Sequence, residues 1–493
     1  MTRLSRTTLA DLEGVPVPAY DRGAVTVGIV HIGVGGFHRA HQAMYVDRLL
    51  AAGATRWGIC GVGTQPLDRR MGEVLRAQDH LYTLVEKHPD GRLEPRVVGS
   101  LVDYLYAPDD PEAVVERLAA PDTHVVSLTI TKGGYQVDPL TGIFAASEPA
   151  VLLDACGDGP PRTVFGLVTA ALERRRSRGT APFTVLSCDN VQRNGDVARE
   201  AFSGFATLRD PELGAWVRRA VSFPCSMVDR ITPATTEDDR ALLASTFGIE
   251  DGWPVVCEPY VQWVLEDSFG DGRPPWEDVG VHLVADVHAY EQMKLRLLNA
   301  GHQAIGYLGY LAGHRYTDEA CADPLLAALL ETYLAEAAPT LAQVPGVDVE
   351  RYRRTLLERF RNPYVRDPLS RLCSEGTDRI PTFLLPVVRD LLATGRDISR
   401  SALVVAAWAH FAEGADEQGR PIAVVDRRLE TVLAAAGRLR QDPSAFLVET
   451  GVFAELATEP RFVEAFSAHV RSLHRHGTRA TLHALLDAEG RLG

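Results

Sequence analysis

The run Val25–Ile32 (VTVGIVHI) gives way to Gly33-Val34-Gly35-Gly36-Phe37-His38-Arg39 and then to Ala40–Leu50, whose apolar spacing predicts a helix. Strand, glycine turn and helix in that order bring backbone N–H groups and a helix start to one point with no Cβ in the way, which is what a dinucleotide pyrophosphate needs. Gly33, Gly35 and Gly36 supply the room, although His38 stands where a third glycine would complete the fingerprint. Further strands are predicted at Trp57–Val62, His124–Ile130 and Phe183–Ser187, with helices such as Glu112–Leu118 and Thr163–Arg174 between them. Such alternation predicts an α/β fold, with a mostly parallel sheet covered on both faces.

The second strand runs into Gly63-Thr64-Gln65-Pro66-Leu67-Asp68-Arg69-Arg70. An acid there can accept hydrogen bonds from ribose hydroxyls and repel a 2′-phosphate, so Asp68 argues for NAD; Arg69 and Arg70 would instead suit a 2′-phosphate. Phe37 and Arg39 are grouped with the glycines and Asp68 at the cofactor.

Beyond about residue 285 strand signals nearly vanish. Tyr290–Leu311, Leu325–Glu336, Val349–Phe360, Arg379–Ala393, Ser401–Ala412, Arg427–Leu439 and Phe462–Leu473 all read as helices. The expected organisation is a Rossmann-type domain over 1–285 and a mainly α-helical domain over 286–493, with the Gly- and Pro-rich Asp267–Glu277 as a loop before the boundary. The chain's 493 residues suffice for two or three domains, and its 65 acidic against 51 basic residues leave a net charge of −14. No basic stripe interrupts that surface, which excludes nucleic acid as the expected partner. Seven scattered cysteines without a C-x-x-C pair argue against a disulfide framework and a cysteine zinc site. No secretory leader or apolar span is legible, so a cytoplasmic protein away from membranes is expected.

The most informative stretch is Glu291-Gln292-Met293-Lys294-Leu295-Arg296-Leu297-Leu298-Asn299-Ala300-Gly301-His302. On an α-helical wheel with Lys294 at zero, Glu291 falls at about 60°, His302 at about 80° and Asn299 at about 140°, within one arc that also holds leucines. Polar groups interleaved with leucines suggest a buried polar pocket. Oxidation of an alcohol by NAD needs a base for the hydroxyl proton and neutral donors for the oxygen. Lysine can be that base when burial and nearby positive charge lower its pKa. Asn299, and Asn190 at the end of the Phe183–Ser187 strand, can be the donors. A core histidine is the alternative for His302. Metal ligation by His302 with Glu291 lacks a companion motif, so no metal is expected in the reaction.

These residues resemble the polyol-specific long-chain dehydrogenases, a family that includes mannitol 2-dehydrogenases, arabinitol 4-dehydrogenases and hexuronate reductases. The resemblance rests on His31–His41, Ser187-Cys188-Asp189-Asn190 with Asn194-Gly195, Phe223–Pro233, Cys257-Glu258-Pro259 and the Lys294, Asn299, His302 pattern. It implies a metal-independent site with Lys294 as general base, Asn190 and Asn299 as amides on the reacting oxygen and Glu291 in proton release. It also implies Asp229, His302 and Arg371 on polyol hydroxyls, Asp68 in NAD preference, and a monomer. The implied substrate is a sugar alcohol or its ketose, D-mannitol and D-fructose foremost, with D-fructuronate or D-arabinitol as alternatives. Three positions depart from the pattern: Arg379, taken with the substrate residues, replaces a lysine, Lys132 replaces a glutamate and Arg193 a histidine. Added positive charge would favour a carboxylate substrate, unless Lys132 and Arg193 lie on outer loops.

Overall fold

A computed structural model describes residues 1–138, 141–157 and 159–487. The chain divides into two compact units, Met1–His288 and Ala289–Gly493; residues 488–493 of the expected helical domain lie outside the described residues.

The first unit is built on a five-stranded, all-parallel sheet in the order Leu101–Tyr106, Gly58–Gly63, Val27–Ile32, Val125–Leu128, Thr184–Ser187. Every residue of Gly58–Gly63, Val125–Leu128 and Thr184–Ser187 is buried, as helices on both faces require. The chain enters at Val27–Ile32, builds outward to one side and then crosses to the other. The strand order therefore reverses between Val27–Ile32 and Val125–Leu128, the place where open α/β sheets bind ligands beyond their carboxyl ends. Two smaller three-stranded sheets, one joining Tyr82–Lys87, Leu93–Val98 and Val255–Cys257, the other Ser226–Asp229, Gln262–Glu266 and His282–Val284, and a two-stranded pair, Thr2–Arg3 with Ile249–Glu250, accompany it.

Two expectations need correction here. The helix predicted from Ala40 starts earlier and breaks at His41, giving Gly36–Ala40 and Gln42–Ala51, because His41 has non-helical dihedrals and its ring bonds the Gln262 carbonyl at 3.0 Å. The predicted loop Asp267–Glu277 is anchored by Trp276, which is buried and opens a short 3₁₀ turn, Trp276–Val279.

The second unit is helical, and no strand occurs in it among the described residues. Two of its expected helices are not continuous α-helix. Tyr290–Leu311 resolves into an α segment ending at Met293, a π-helical turn Lys294–Asn299, and an α-helix Ala300–Leu311. Arg379–Ala393 likewise contains a π turn, Ile380–Leu384, before Leu385–Ala393. Pro381, which has no N–H to give, accounts for the second. Nothing in the composition of Lys294–Asn299 marks the first. No described helix is long and apolar enough to cross a membrane.

Candidate active site

In the first unit the site begins with a backbone shape. Gly33 has φ +96°, and a Cβ there would lie 2.2 Å from the Thr129 carbonyl oxygen, so the residue must be glycine on both counts. Its carbonyl accepts from Thr129 Oγ1 at 2.6 Å and faces His31 Nε2 at 3.2 Å, while His31 Nδ1 meets Ser127 Oγ at 2.8 Å. A Cβ on Gly35 or Gly36 would instead meet no atom closer than 3.8 Å. That clear space above the turn is the cradle a pyrophosphate fits. His38, at the third-glycine position, is buried and stacked on His31 with ring centroids 3.4 Å apart, which replaces close helix-on-strand contact by an imidazole pair. Burial holds both histidines neutral, His31 with its pKa lowered to about 3 and His38 well below its usual value.

The other first-unit residues are placed as follows. Phe37 stacks on His41, with centroids 5.0 Å apart. The Arg39 guanidinium turns inward, donating to the Trp253 carbonyl and lying over the Tyr82 ring. Asp68 Oδ2 accepts from the N–H groups of Thr64 and Gln65 at 2.9 and 2.8 Å, capping the helix Pro66–Ala77. Its basic neighbours are engaged elsewhere: Arg69 pairs with Asp109 and lies over Tyr106, and Arg70 lies over Trp253.

Asn190 is exposed, just past the carboxyl end of Thr184–Ser187. The residue before it fixes that end: buried Asp189 accepts from the N–H groups of Ile130 and Thr131 and from the Tyr135 hydroxyl at 2.7–3.0 Å. Asn194 Nδ2 donates to the carbonyls of Asp189 and Ser226, and its Oδ1 accepts from Ser226 N–H at 2.9 Å. A Cβ on Gly195 would sit 2.5 Å from the Phe223 carbonyl oxygen. The separated sequence motifs are thus one hydrogen-bonded assembly, ending in buried Asp229. Behind it, buried Arg230 donates to the carbonyls of Ala40 and Glu258 and to Glu86 Oε1. Lys132 and Arg193 are exposed, and Arg193 is ion-paired with Asp196 at 2.6 Å, so its charge is locally balanced.

In the second unit Glu291, Lys294 and His302 are all buried. The wheel angles predicted for them assumed an α-helix and do not hold through a π turn. A π turn rotates less per residue than an α-helix. Asn299 therefore comes round from about 140° toward the Lys294 side of the segment, and His302, three residues further on, turns with it. The turn is pinned from outside by Arg296, which donates to the Thr340 carbonyl at 2.7 Å and to Asp390, and by the Tyr333 hydroxyl on the Arg296 carbonyl at 2.8 Å.

His302 stacks on Phe360 with centroids 4.3 Å apart. Burial, with the charges of Arg371, Arg359, Arg379 and Lys294, holds its pKa well below the usual histidine value, so the ring is neutral. Among the described residues its Nε2 and the Asn299 Oδ1 are buried without a hydrogen-bond partner, the mark of a place that a polar ligand completes. Arg371 is gripped by Asp367, with Nε on Oδ1 at 2.7 Å. Arg379 donates to the carbonyls of Arg371 and Leu372 at 2.8 and 3.0 Å, so it orders the Arg371 helix as well as adding charge. Sequence reading did not reach Arg359, Phe360 or Asp367; all three come from a distant part of the chain and carry no motif.

Residues 27–278 match the family model of the mannitol dehydrogenase Rossmann domain, and residues 286–474 that of the mannitol dehydrogenase C-terminal domain. The chain belongs to the mannitol dehydrogenase family. It is 46% identical over 477 residues, 95% of each chain, to the mannitol 2-dehydrogenase of Aspergillus fumigatus, and 45% identical over 482 residues, 96% of each, to that of Neosartorya fischeri. Among solved structures it resembles Pseudomonas fluorescens mannitol 2-dehydrogenase in ternary complex with NAD and D-mannitol, with TM-score 0.90 and 44% identity over 99% of this chain and 100% of that one. A substrate-free D-sorbitol dehydrogenase matches with TM-score 0.88 and 38% identity over 97% and 100% of the two chains.

Proposed function

We propose that the chain is an NAD-dependent polyol dehydrogenase that interconverts D-mannitol and D-fructose without a metal ion in the reaction. The observation that carries this reading is the pair of buried acceptor atoms left without a partner among the described residues, His302 Nε2 and Asn299 Oδ1, on the segment whose π turn also holds buried Lys294. NAD, when bound, supplies the acceptor for the hydride leaving carbon. Lys294 takes the hydroxyl proton, and the amides of Asn299 and Asn190 donate to the oxygen as charge builds on it. A half-turn of the Asn299 amide brings its Nδ2 donor to the position now held by Oδ1. Glu291 passes the proton on from Lys294. Asp229, Arg371 and neutral His302 read the remaining hydroxyls, the first accepting, the second donating and the third able to do either. Gly33, Gly35 and Gly36 would seat the pyrophosphate, and Asp68 would accept hydrogen bonds from the adenosine ribose hydroxyls.

A second reading, a hexuronate reductase, is favoured by one observation: Lys294, Arg359, Arg371 and Arg379 all act on His302, a positive field suited to a carboxylate. Both readings meet one assay, in which oxidation of NADH is followed in EDTA with D-fructose and D-fructuronate side by side and then repeated with NADPH. The polyol reading expects fructose and NADH to be preferred by at least tenfold in kcat/KM. Preference for fructuronate would replace it with the second, and loss of activity in EDTA would overturn the metal-free chemistry.

A further inference from the structure

Far along the chain from the residues assigned to the reaction, the helix Ser399–Phe411 ends beside the long helical stretch Pro460–Asp487, which breaks at Gly477, φ +75°. Three side chains converge there. His410 Nδ1 and His474 Nε2 both bond one oxygen of Glu413, Oε2, the second at 2.8 Å, and the two imidazole planes stand at 85° with centroids 4.9 Å apart. All three donor atoms lie within 4.8 Å of one another. We propose that His410, Glu413 and His474 form a binding site for a divalent transition-metal ion, zinc or a similar cation, that ties the end of one helix to the other just before its break.

The donor set selects the class of ion. Two imidazoles and a carboxylate suit zinc and its neighbours in the first transition row, whereas calcium and magnesium demand an all-oxygen shell. His410 and Glu413 are three apart across a helix end, and His474 comes from a separate helix, so two rigid elements present the ligands. Zinc bonds of ~2.0–2.1 Å set tetrahedral ligand atoms ~3.3 Å apart, so the His474 ring, now 2.8 Å from the carboxylate oxygen, need withdraw by only about half an ångström. None of the three residues is fully buried, which leaves room for water as a fourth ligand. Glu417, four residues beyond Glu413, accepts from Thr478 N–H just past the break, so the short segment 413–417 holds both sides of Gly477. One charge opposes a cation: Arg440 Nε lies 3.9 Å from Glu413 Oε1, but that side chain is 72% exposed and its field is screened by solvent.

The test uses the untagged full-length protein, freed of metal with EDTA and dialysed, then titrated with cobalt(II) or zinc chloride. We expect one equivalent of cobalt to give visible ligand-field absorption, and saturating zinc to raise the thermal midpoint by about 2 °C or more. Both signals should vanish in His474→Gln, and in Glu413→Gln, which keeps the shape of the cluster should the first variant fold poorly. Turnover of the metal-free protein should equal that of the zinc-loaded protein, because no residue of the cluster is assigned to the reaction. Equal binding and equal stabilisation in the variants would locate the metal elsewhere, exposed Cys156 included, and would overturn the proposal, as would the absence of binding by the unaltered chain.

Discussion

The glycine turn of the first unit and the π turn of the second do comparable work by opposite means. Around Gly33 the proposed cofactor seat is made of backbone: a left-handed residue, an approach of Thr129 that admits no Cβ, and clear space over Gly35 and Gly36. Around Lys294 the proposed catalytic cluster is made of side chains whose alignment depends on helical register, on Arg296 and Tyr333 as outside anchors, and on Arg359, Phe360 and Asp367 further along the chain. A site built from backbone must be written in residue types that permit the backbone, chiefly glycine. A site built from register can be written in many residues, and its helical context hides it.

The largest effects should separate chemistry from scaffold. Lys294→Ala removes the proposed base and should lower kcat by about 10³-fold, with the dissociation constant of NADH changed less than about threefold, because the cofactor seating is proposed for the glycine turn. Stopped-flow and fluorescence titration measure the two quantities, and a near-normal kcat would take Lys294 out of the mechanism. Gly33→Ala attacks the other region, placing a Cβ in a left-handed residue and against the Thr129 carbonyl. We expect a loss of about 3 kcal/mol in stability and NADH affinity lower by tenfold or more, since strain at this φ alone costs about 1–3 kcal/mol. A stable variant with normal affinity would mean that the turn can relax without cost.

The imidazole pair under the glycine turn supplies a test of the first region's rigidity. His31 and His38 are neutral in the folded chain, with pKa values depressed by burial. The unfolded chain therefore takes up their protons first: stability is full above about pH 6.5 and falls, as pH drops, by about 1.4 kcal/mol per unit for each ring until its folded pKa is reached. His38→Phe preserves the stack on His31 and removes one of these penalties. The difference in unfolding free energy between pH 6.5 and 5.5 should shrink by about 1 kcal/mol in the variant, read by tryptophan fluorescence, to which the first unit contributes five of the six tryptophans. An unchanged difference would show that the pair is hydrated or opens at mild acidity.

The same contrast explains what could be read beforehand. The parallel sheet and the cofactor turn were legible because β-branched runs, glycines and alternating helices are local signals. Lys294, Asn299 and His302 were legible as residue types in a buried arc. Their alignment was not, since the wheel used 100° per residue where the chain takes a π turn that nothing in Lys294–Asn299 announces. Leu101–Tyr106, the edge strand of the main sheet, was also missed, because its tyrosines and Asp103 blur the apolar run expected of a parallel strand. The departures at Lys132 and Arg193 looked relevant to substrate charge in sequence. Both are exposed, and the Arg193–Asp196 pair is a surface interaction of small energy. Arg379 differs from them: partly buried, it orders the backbone beside Arg371.

The smallest effect concerns Asp68, where the two ways of building a site overlap. Its Oδ2 is spent on the N–H groups of Thr64 and Gln65, so the residue shapes the turn besides the role proposed for it at the ribose. Asp68→Asn keeps an acceptor for the cap but removes the charge. Because Arg69 is held by Asp109 and Tyr106, and Arg70 by Trp253, neither cation is released toward a 2′-phosphate by that change. We therefore expect KM for NADH to rise by about five- to tenfold, about 1 kcal/mol, and kcat/KM for NADPH to gain less than about tenfold. Adding Asp109→Asn should free Arg69 and raise the NADPH value further. If Asp68→Asn alone converted the enzyme to NADPH, repulsion by the carboxylate would be the whole of the discrimination, and the engagement of the two arginines would have no part in it.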